Sequence, residues 1–189
     1  MSQRKQQTKT TRLDPLPPLV SVADVHEANF PRAWFDNSIA DTIEHIAQQR
    51  APTKGSVWTH RVGFASELAG STYFGEEPNW TIYPGFVGDD GYDFRLNNWK
   101  VEVKATTRRD DLALRVPVDK VDCADYYLLA QCWNPNEVVQ LVGSISRPRL
   151  LRFGHRFGGD LKVGPEYLSP LEPLHIDPDQ IREIHEYRD

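Results

Sequence analysis

The residues best suited to chemistry lie in one run, Tyr92-Asp93-Phe94-Arg95-Leu96-Asn97-Asn98-Trp99-Lys100-Val101-Glu102-Val103-Lys104. Asn tolerates the left-handed backbone that a two-residue hairpin turn needs, so Asn97-Asn98 predicts a turn between two antiparallel strands. That turn sets Leu96 against Trp99, Phe94 against Val101 and Tyr92 against Val103, and it sets Asp93 opposite Glu102. One face of the ribbon is then Tyr92, Phe94, Leu96, Trp99, Val101 and Val103, which must pack on a core. The other face carries Asp93, Glu102 and Lys104. Directly opposed Cβ atoms lie about 4.5–5.5 Å apart, and like charges placed there repel. A divalent cation held between the two carboxylates relieves the repulsion, and hard oxygen ligands suit Mg²⁺. Lys104, on the same face, can hold a water beside the metal or offset charge developing on a phosphate. A solvated strand face, on which acids and lysine merely offset one another, is the bland alternative.

The elements that must position these residues follow from periodicity. A helix is expected over Ser38–Gln49, with Ile39, Ile43, Ile46 and Ala47 as its apolar stripe and Pro52 beyond it. A second is expected over about Thr59–Ala69, with Trp58, Val62, Ala65, Leu68 and Ala69 facing one way and Gly70 as the stop. Strands are expected at Asn79–Tyr83, Tyr92–Leu96, Trp99–Thr106, Tyr126–Cys132 and Glu137–Val142, with a short helix over Ser146–Phe153 and a helix-like segment at Asp179–Tyr187. Helices ahead of a hairpin, then further strands, predict an α/β fold with a mixed central sheet of about four to five strands flanked by helices.

Asp93 followed by Glu102-Val103-Lys104 resembles the signature of the PD-(D/E)xK nuclease superfamily, in which an Asp begins a hairpin and the second strand supplies an acid, one residue, then Lys. The resemblance extends to Arg61–Ala69, which is similar to the family's first core helix with its Glu, here Glu67. It extends also to Leu114–Pro117 and Ala124–Leu128, and in all spans about residues 57–142. It implies a restriction-endonuclease-like core and a phosphodiester hydrolase dependent on Mg²⁺, for which Mn²⁺ can substitute. Asp93 and Glu102 would ligate the metal, the Val103 carbonyl would complete the shell, Lys104 would assist the attacking water, and Glu67 would join the site. Tyr92 stands where the family often has Pro. The implied substrate is nucleic acid, DNA in the first instance, and double-strand cutting by so short a chain implies a homodimer. A non-catalytic nucleic-acid-binding or assembly module of the same fold is the alternative, against which the intact Asp93, Glu102 and Lys104 argue.

Other polar residues have simpler accounts. Asp89 and Asp90 lie in a Gly-flanked turn, where Asp serves local hydrogen bonding. Thr106 and Thr107 favour strand, Gln131 is one polar residue within a strand, and His155 lies beside Gly154; the six histidines show no metal-ligand spacing. Arg108, Arg109, Arg147, Arg149 and Arg152 are the arginines placed to meet phosphates.

Length and charge bound these readings. A chain of 189 residues can bury a real core; 39% hydrophobic and 26% charged residues are on the polar side for a globular chain, but five Trp, seven Tyr and eight Phe argue against wholesale disorder. Net charge is −5, but Arg4, Lys5, Lys9 and Arg12 stand without an acid in the first twelve residues. The remainder therefore holds 18 of the 22 Lys+Arg against all 27 Asp+Glu. A broadly basic nucleic-acid coat is excluded; a narrow contact face is not. The expected organisation is a basic, Pro-rich arm over 1–20, a helical extension over 21–56, a nuclease-like core over 57–160 and an acidic extension over 161–189. Two cysteines, Cys123 and Cys132, make neither a finger spacing nor a disulfide framework. No apolar stretch is long enough to span a bilayer, and the polar N-terminus points to a cytoplasmic protein without membrane partners.

Overall fold

The computed structural model describes residues 30–35, 37–51, 55–78, 91–108, 110–136 and 138–171. The expected arm over 1–20, the strand at Asn79–Tyr83, Asp89, Asp90, Arg109 and the helix-like segment Asp179–Tyr187 lie outside the described residues.

The fold is mixed α/β. Among the described residues, eleven strands and α-helices follow in order: β1 (Arg32–Trp34), α1 (Asn37–Arg50), α2 (Val57–Tyr73), β2 (Phe94–Leu96), β3 (Trp99–Thr106), β4 (Leu114–Pro117), β5 (Tyr126–Asn134), β6 (Val138–Ser146), α3 (Arg147–Phe153), β7 (His155–Phe157) and β8 (Asp160–Val163). A five-stranded sheet has the order β1-β6-β5-β3-β2, in which β3 and β5 are parallel and the other pairs antiparallel. The parallel pairing puts β3 next to β5, with β4 carried on the crossover between them. A second, three-stranded antiparallel sheet, β4-β8-β7, was not foreseen. Its signal was present: Gly158 takes φ 63° in the tight turn between β7 and β8.

The two faces of the central sheet bury separate clusters. Phe94, Val101, Val103, Tyr126, Leu128 and Ala130 meet Val62, Phe64, Ala65, Leu68 and Ala69 of α2 and Ile43 and Ile46 of α1. Tyr127, Leu129, Val142 and Ile145 point the other way, onto Leu114, Val116, Leu161 and Val163 of the second sheet and Leu150 of α3. Alternation along β5 thus serves both faces, as expected of a strand covered on each side. Residues 32–50, expected as an extension ahead of the core, supply an edge strand and a helix packed on α2. Residues 161–171, expected to begin an extension, contribute β8 and Leu171 to the two clusters.

One glycine departs from expectation, and another is held by close packing. Gly70 does not stop α2 but lies within it, where an added Cβ would come 2.9 Å from Leu128 Cδ2 and 3.1 Å from Val103 Cγ2. The helix ends one turn later in a Schellman arrangement, with Glu76 N–H donating to the Ser71 carbonyl (2.9 Å), Gly75 N–H donating to Thr72 (3.1 Å) and Gly75 at φ 73°. Gly91, at the entry to the hairpin, has φ 74°, and an added Cβ would overlap Cys123 and reach 2.9 Å from its Sγ. Gly91→Ala is expected to destabilise the protein by about 2 kcal/mol or more, since the left-handed backbone alone costs about 1–2 kcal/mol. Urea unfolding checks this; a change under about 0.5 kcal/mol, the range of neutral surface substitutions, would contradict the close packing of this entry.

Candidate active site

The hairpin forms in the expected register, with Leu96 opposite Trp99, Arg95 opposite Lys100 and Phe94 opposite Val101. Asn97 takes φ 54°, the left-handed conformation its turn demanded. The register does not continue to Asp93. The Asp93 N–H donates to the Val101 carbonyl (2.8 Å), a residue short of Glu102, and regular pairing stops at Phe94. Tyr92 consequently turns away from Phe94's face and packs on the second cluster, against Arg95 and Lys100. A one-residue irregularity exchanges faces in this way.

Released from the ladder, the Asp93 carboxylate substitutes for a strand. Its Oδ2 accepts the Val103 N–H at 2.6 Å. The N–H and C=O of one strand residue project to the same side, so the Val103 carbonyl is also turned to this edge. Asp93 therefore meets Glu102 by closing the edge of β3 rather than by sitting across from it.

Glu102 is 6% exposed. One oxygen, Oε1, is ion-paired to Lys104 Nζ, and the other, Oε2, is buried with no hydrogen-bond partner. The neighbouring Tyr127 offers no donor, because its hydroxyl donates to the Val121 and Lys120 carbonyls. Leaving a buried charged acceptor unpaired costs about 1–3 kcal/mol or more. Burial pushes the Asp93 carboxyl well above the ordinary carboxylate value, and Glu67 and Glu102 push it the same way, against the Val103 N–H and Lys104. Asp93 and Glu102 thus lie near each other with Lys104 beside Glu102, and the charge of Glu67 is felt at Asp93.

Glu67 acts on Asp93 from α2 through its charge, while its Oε2 is held by Arg50 of α1 at 3.2 Å. Arg50 escaped notice in the sequence, since a partner seventeen positions away on another helix leaves no local pattern. Among the described residues, no three His, Cys, Asp or Glu side chains are placed together to hold an ion. Asp93 and Glu102 with the Val103 carbonyl do suit a cation that keeps several of its waters. Mg²⁺ commonly binds through one or two carboxylates plus substrate phosphate. An orphaned Glu102 oxygen beside a raised Asp93 is the donor chemistry such an ion would satisfy.

The arginines divide. Arg108, beyond the end of β3, is well exposed, with Asp111 at 3.5 Å as a loose partner. Arg147 enters near the start of β3 and β5, where it donates to the Asp122 carbonyl (3.1 Å) and lies 3.6 Å from Asp125. Arg149 donates to Ser169 Oγ (2.8 Å) and to the Tyr167 carbonyl, and Arg152 lies over the Phe153 ring. The two arginine groups stand at opposite ends of β3, so they do not form one basic face. Gln131 has a structural task, donating to the Arg108 carbonyl at 2.8 Å. Cys132 is buried in the core, which pushes its thiol up to about 12 and keeps it protonated. Among the described residues no helix is long and apolar enough to cross a membrane. No protein-family model matches this chain, and neither a curated protein nor a solved structure does.

Proposed function

We propose that the chain is a metal-dependent nuclease of the PD-(D/E)xK kind with a restriction-endonuclease-like core, hydrolysing phosphodiester bonds, DNA first among its substrates. The single observation that carries this reading is the buried, partnerless Oε2 of Glu102 on a strand that also carries Lys104 and whose edge Asp93 closes. A merely solvated strand face would expose its acids to water; here the acid is buried and the lysine half-buried.

Asp93, Glu102 and the Val103 carbonyl would hold Mg²⁺. Bound there, the ion would polarise the phosphate and lower the pKa of a coordinated water. The chain's own residues do the rest. The Val103 N–H fixes one Asp93 oxygen and so orients the carboxylate, and Arg50 holds Glu67. Lys104 Nζ sits beside Glu102, where it can hold the attacking water and offset the charge that grows on the phosphoryl oxygens.

Plasmid and single-stranded DNA incubated with Mg²⁺ or Mn²⁺ should be cut, and chelation should stop the reaction. A monomer should leave nicked circles, and linear product should grow with the proportion of dimer. Nucleic-acid binding without cleavage under either metal would instead identify a non-catalytic binding module.

The arginines yield a separate prediction. Arg108→Ala should weaken binding and lower the slope of log affinity against log salt by about 1, the mark of one lost phosphate contact. Arg147→Ala should leave that slope unchanged and lower stability by about 1–3 kcal/mol, because it ties down the Asp122–Asp125 turn. Salt titrations of binding, with urea unfolding, separate the two.

A further inference from the structure

A cleft of about 330 Å³ opens beside Lys104, between the first turn of α2 and the end of β3. Val62 and Leu129 line it with apolar surface, Trp58 forms a wall, and Lys104, Thr106 and Arg108 bring polar groups to it. The sequence pattern assigned Trp58 to the buried stripe of α2. Instead Trp58, one turn ahead of Val62, is 49% exposed.

This exposed indole is braced. The Arg61 guanidinium lies 5.7 Å from the Trp58 ring centre, and Arg61 is itself anchored by Glu44 at 3.0 Å and by Asn136. A fixed aromatic platform next to an apolar floor, with a cationic rim, has the three parts of a nucleobase subsite: a stacking face, a dry floor and phosphate contacts. The volume falls at the low end of small-ligand clefts, roughly 300–1,000 Å³, room for one base with its sugar and not for a duplex. Bases within a duplex already have both faces stacked, so an indole here can be reached only by a base that is unpaired or extruded.

We infer that this cleft binds one unstacked nucleotide on Trp58, next to the phosphate that Lys104 faces. The inference rests on the nuclease reading and adds a substrate preference to it. The enzyme favours single-stranded, frayed or branched nucleic acid over continuous duplex. Arg108, whose N–H is held by Thr106 Oγ at 3.2 Å and whose carbonyl is held by Gln131, supplies the phosphate contact from a fixed position.

The test measures binding of a short fluorescent oligothymidylate and of a blunt duplex to the full chain, with Ca²⁺ in place of Mg²⁺ so that nothing is cut. Trp58→Ala should weaken oligothymidylate binding roughly 10- to 100-fold, Trp58→Phe should retain most of it, and duplex binding should change little. Cleavage of single strands by Trp58→Ala should fall in parallel at low substrate concentration. Photocrosslinking of a halogenated uracil in the same oligomer to wild-type protein should map to Trp58, a readout independent of how the variants fold. Wild-type cleavage with affinity and crosslink site indifferent to Trp58 would overturn the cleft while leaving the nuclease intact. A chain that neither binds nor cuts any of these substrates would overturn both.

Discussion

Lys104→Ala should reduce phosphodiester cleavage by about 10²–10³-fold, the usual loss when one group stabilising transition-state charge is removed. The fold should survive, because the β3 neighbours Val101 and Val103 carry the packing, although Glu102 Oε1 loses its partner at a cost of about 1–3 kcal/mol. Substrate binding should change little, since one ammonium among several cations contributes a small part of the phosphate contact. Glu102→Gln should be at least as damaging, as it removes a metal ligand and leaves Lys104 without its partner. Single-turnover cleavage rates alongside binding affinities provide the check. If Lys104→Ala cuts at the wild-type rate, the edge of β3 is not where hydrolysis occurs.

Asp93→Asn should act in opposite directions on stability and on activity. Burial and the adjacent Glu67 and Glu102 raise the native Asp93 carboxyl well above its value in the unfolded chain. Between those two values the native state binds more protons than the unfolded state, so in chelator stability falls as pH rises through that window. Above it the wild-type protein carries the full repulsion. Asparagine keeps the shape and the acceptor for the Val103 N–H but not the charge, so the variant should melt higher than wild type at neutral pH in chelator and no higher at acid pH. With Mg²⁺ or Mn²⁺ the order should reverse. At a metal concentration about a hundredfold above its dissociation constant, wild type should gain about 2.7 kcal/mol, roughly 5–10 °C in Tm, and the variant almost nothing. Cleavage by the variant should fall by about a thousandfold, on the scale of losses at transition-state contacts. Thermal melts across pH, with metal and with chelator, decide the matter: a variant that keeps the metal-induced shift would sink Asp93 as a ligand.

The hairpin was legible because every signal for it is local. Asn97 supplies the turn, the period of two separates Phe94, Val101 and Val103 from Glu102 and Lys104, and the core of the hairpin pairs as those signals require. Asp93 was legible as a member of the site but not in its role, because its carboxylate leaves the ladder to accept the Val103 N–H. The crossover from β3 to β5 and the alternation along β5 belong to the foreseeable part of the sheet. The β4–β8 pairing of the second sheet does not, since its two strands have only four residues each and pair across more than forty positions. Trp58 failed for another reason. Helical period placed it on the stripe with Val62, but only Val62 is buried there, and no period records where a partner surface stops.

The turn at Asn97, the pairing of Phe94 with Val101 and of Leu96 with Trp99, and the residue types available for metal and phosphate were determined by the sequence, because they depend on neighbours within one hairpin. Tertiary structure alone decided that one Glu102 oxygen is buried without a partner, that Arg50 holds Glu67, and that Trp58 lines a cleft next to Lys104. Each of these depends on which surfaces α1, α2 and β5 bring within a few ångströms of one another. Packing sets those distances, and the order of residues along the chain does not.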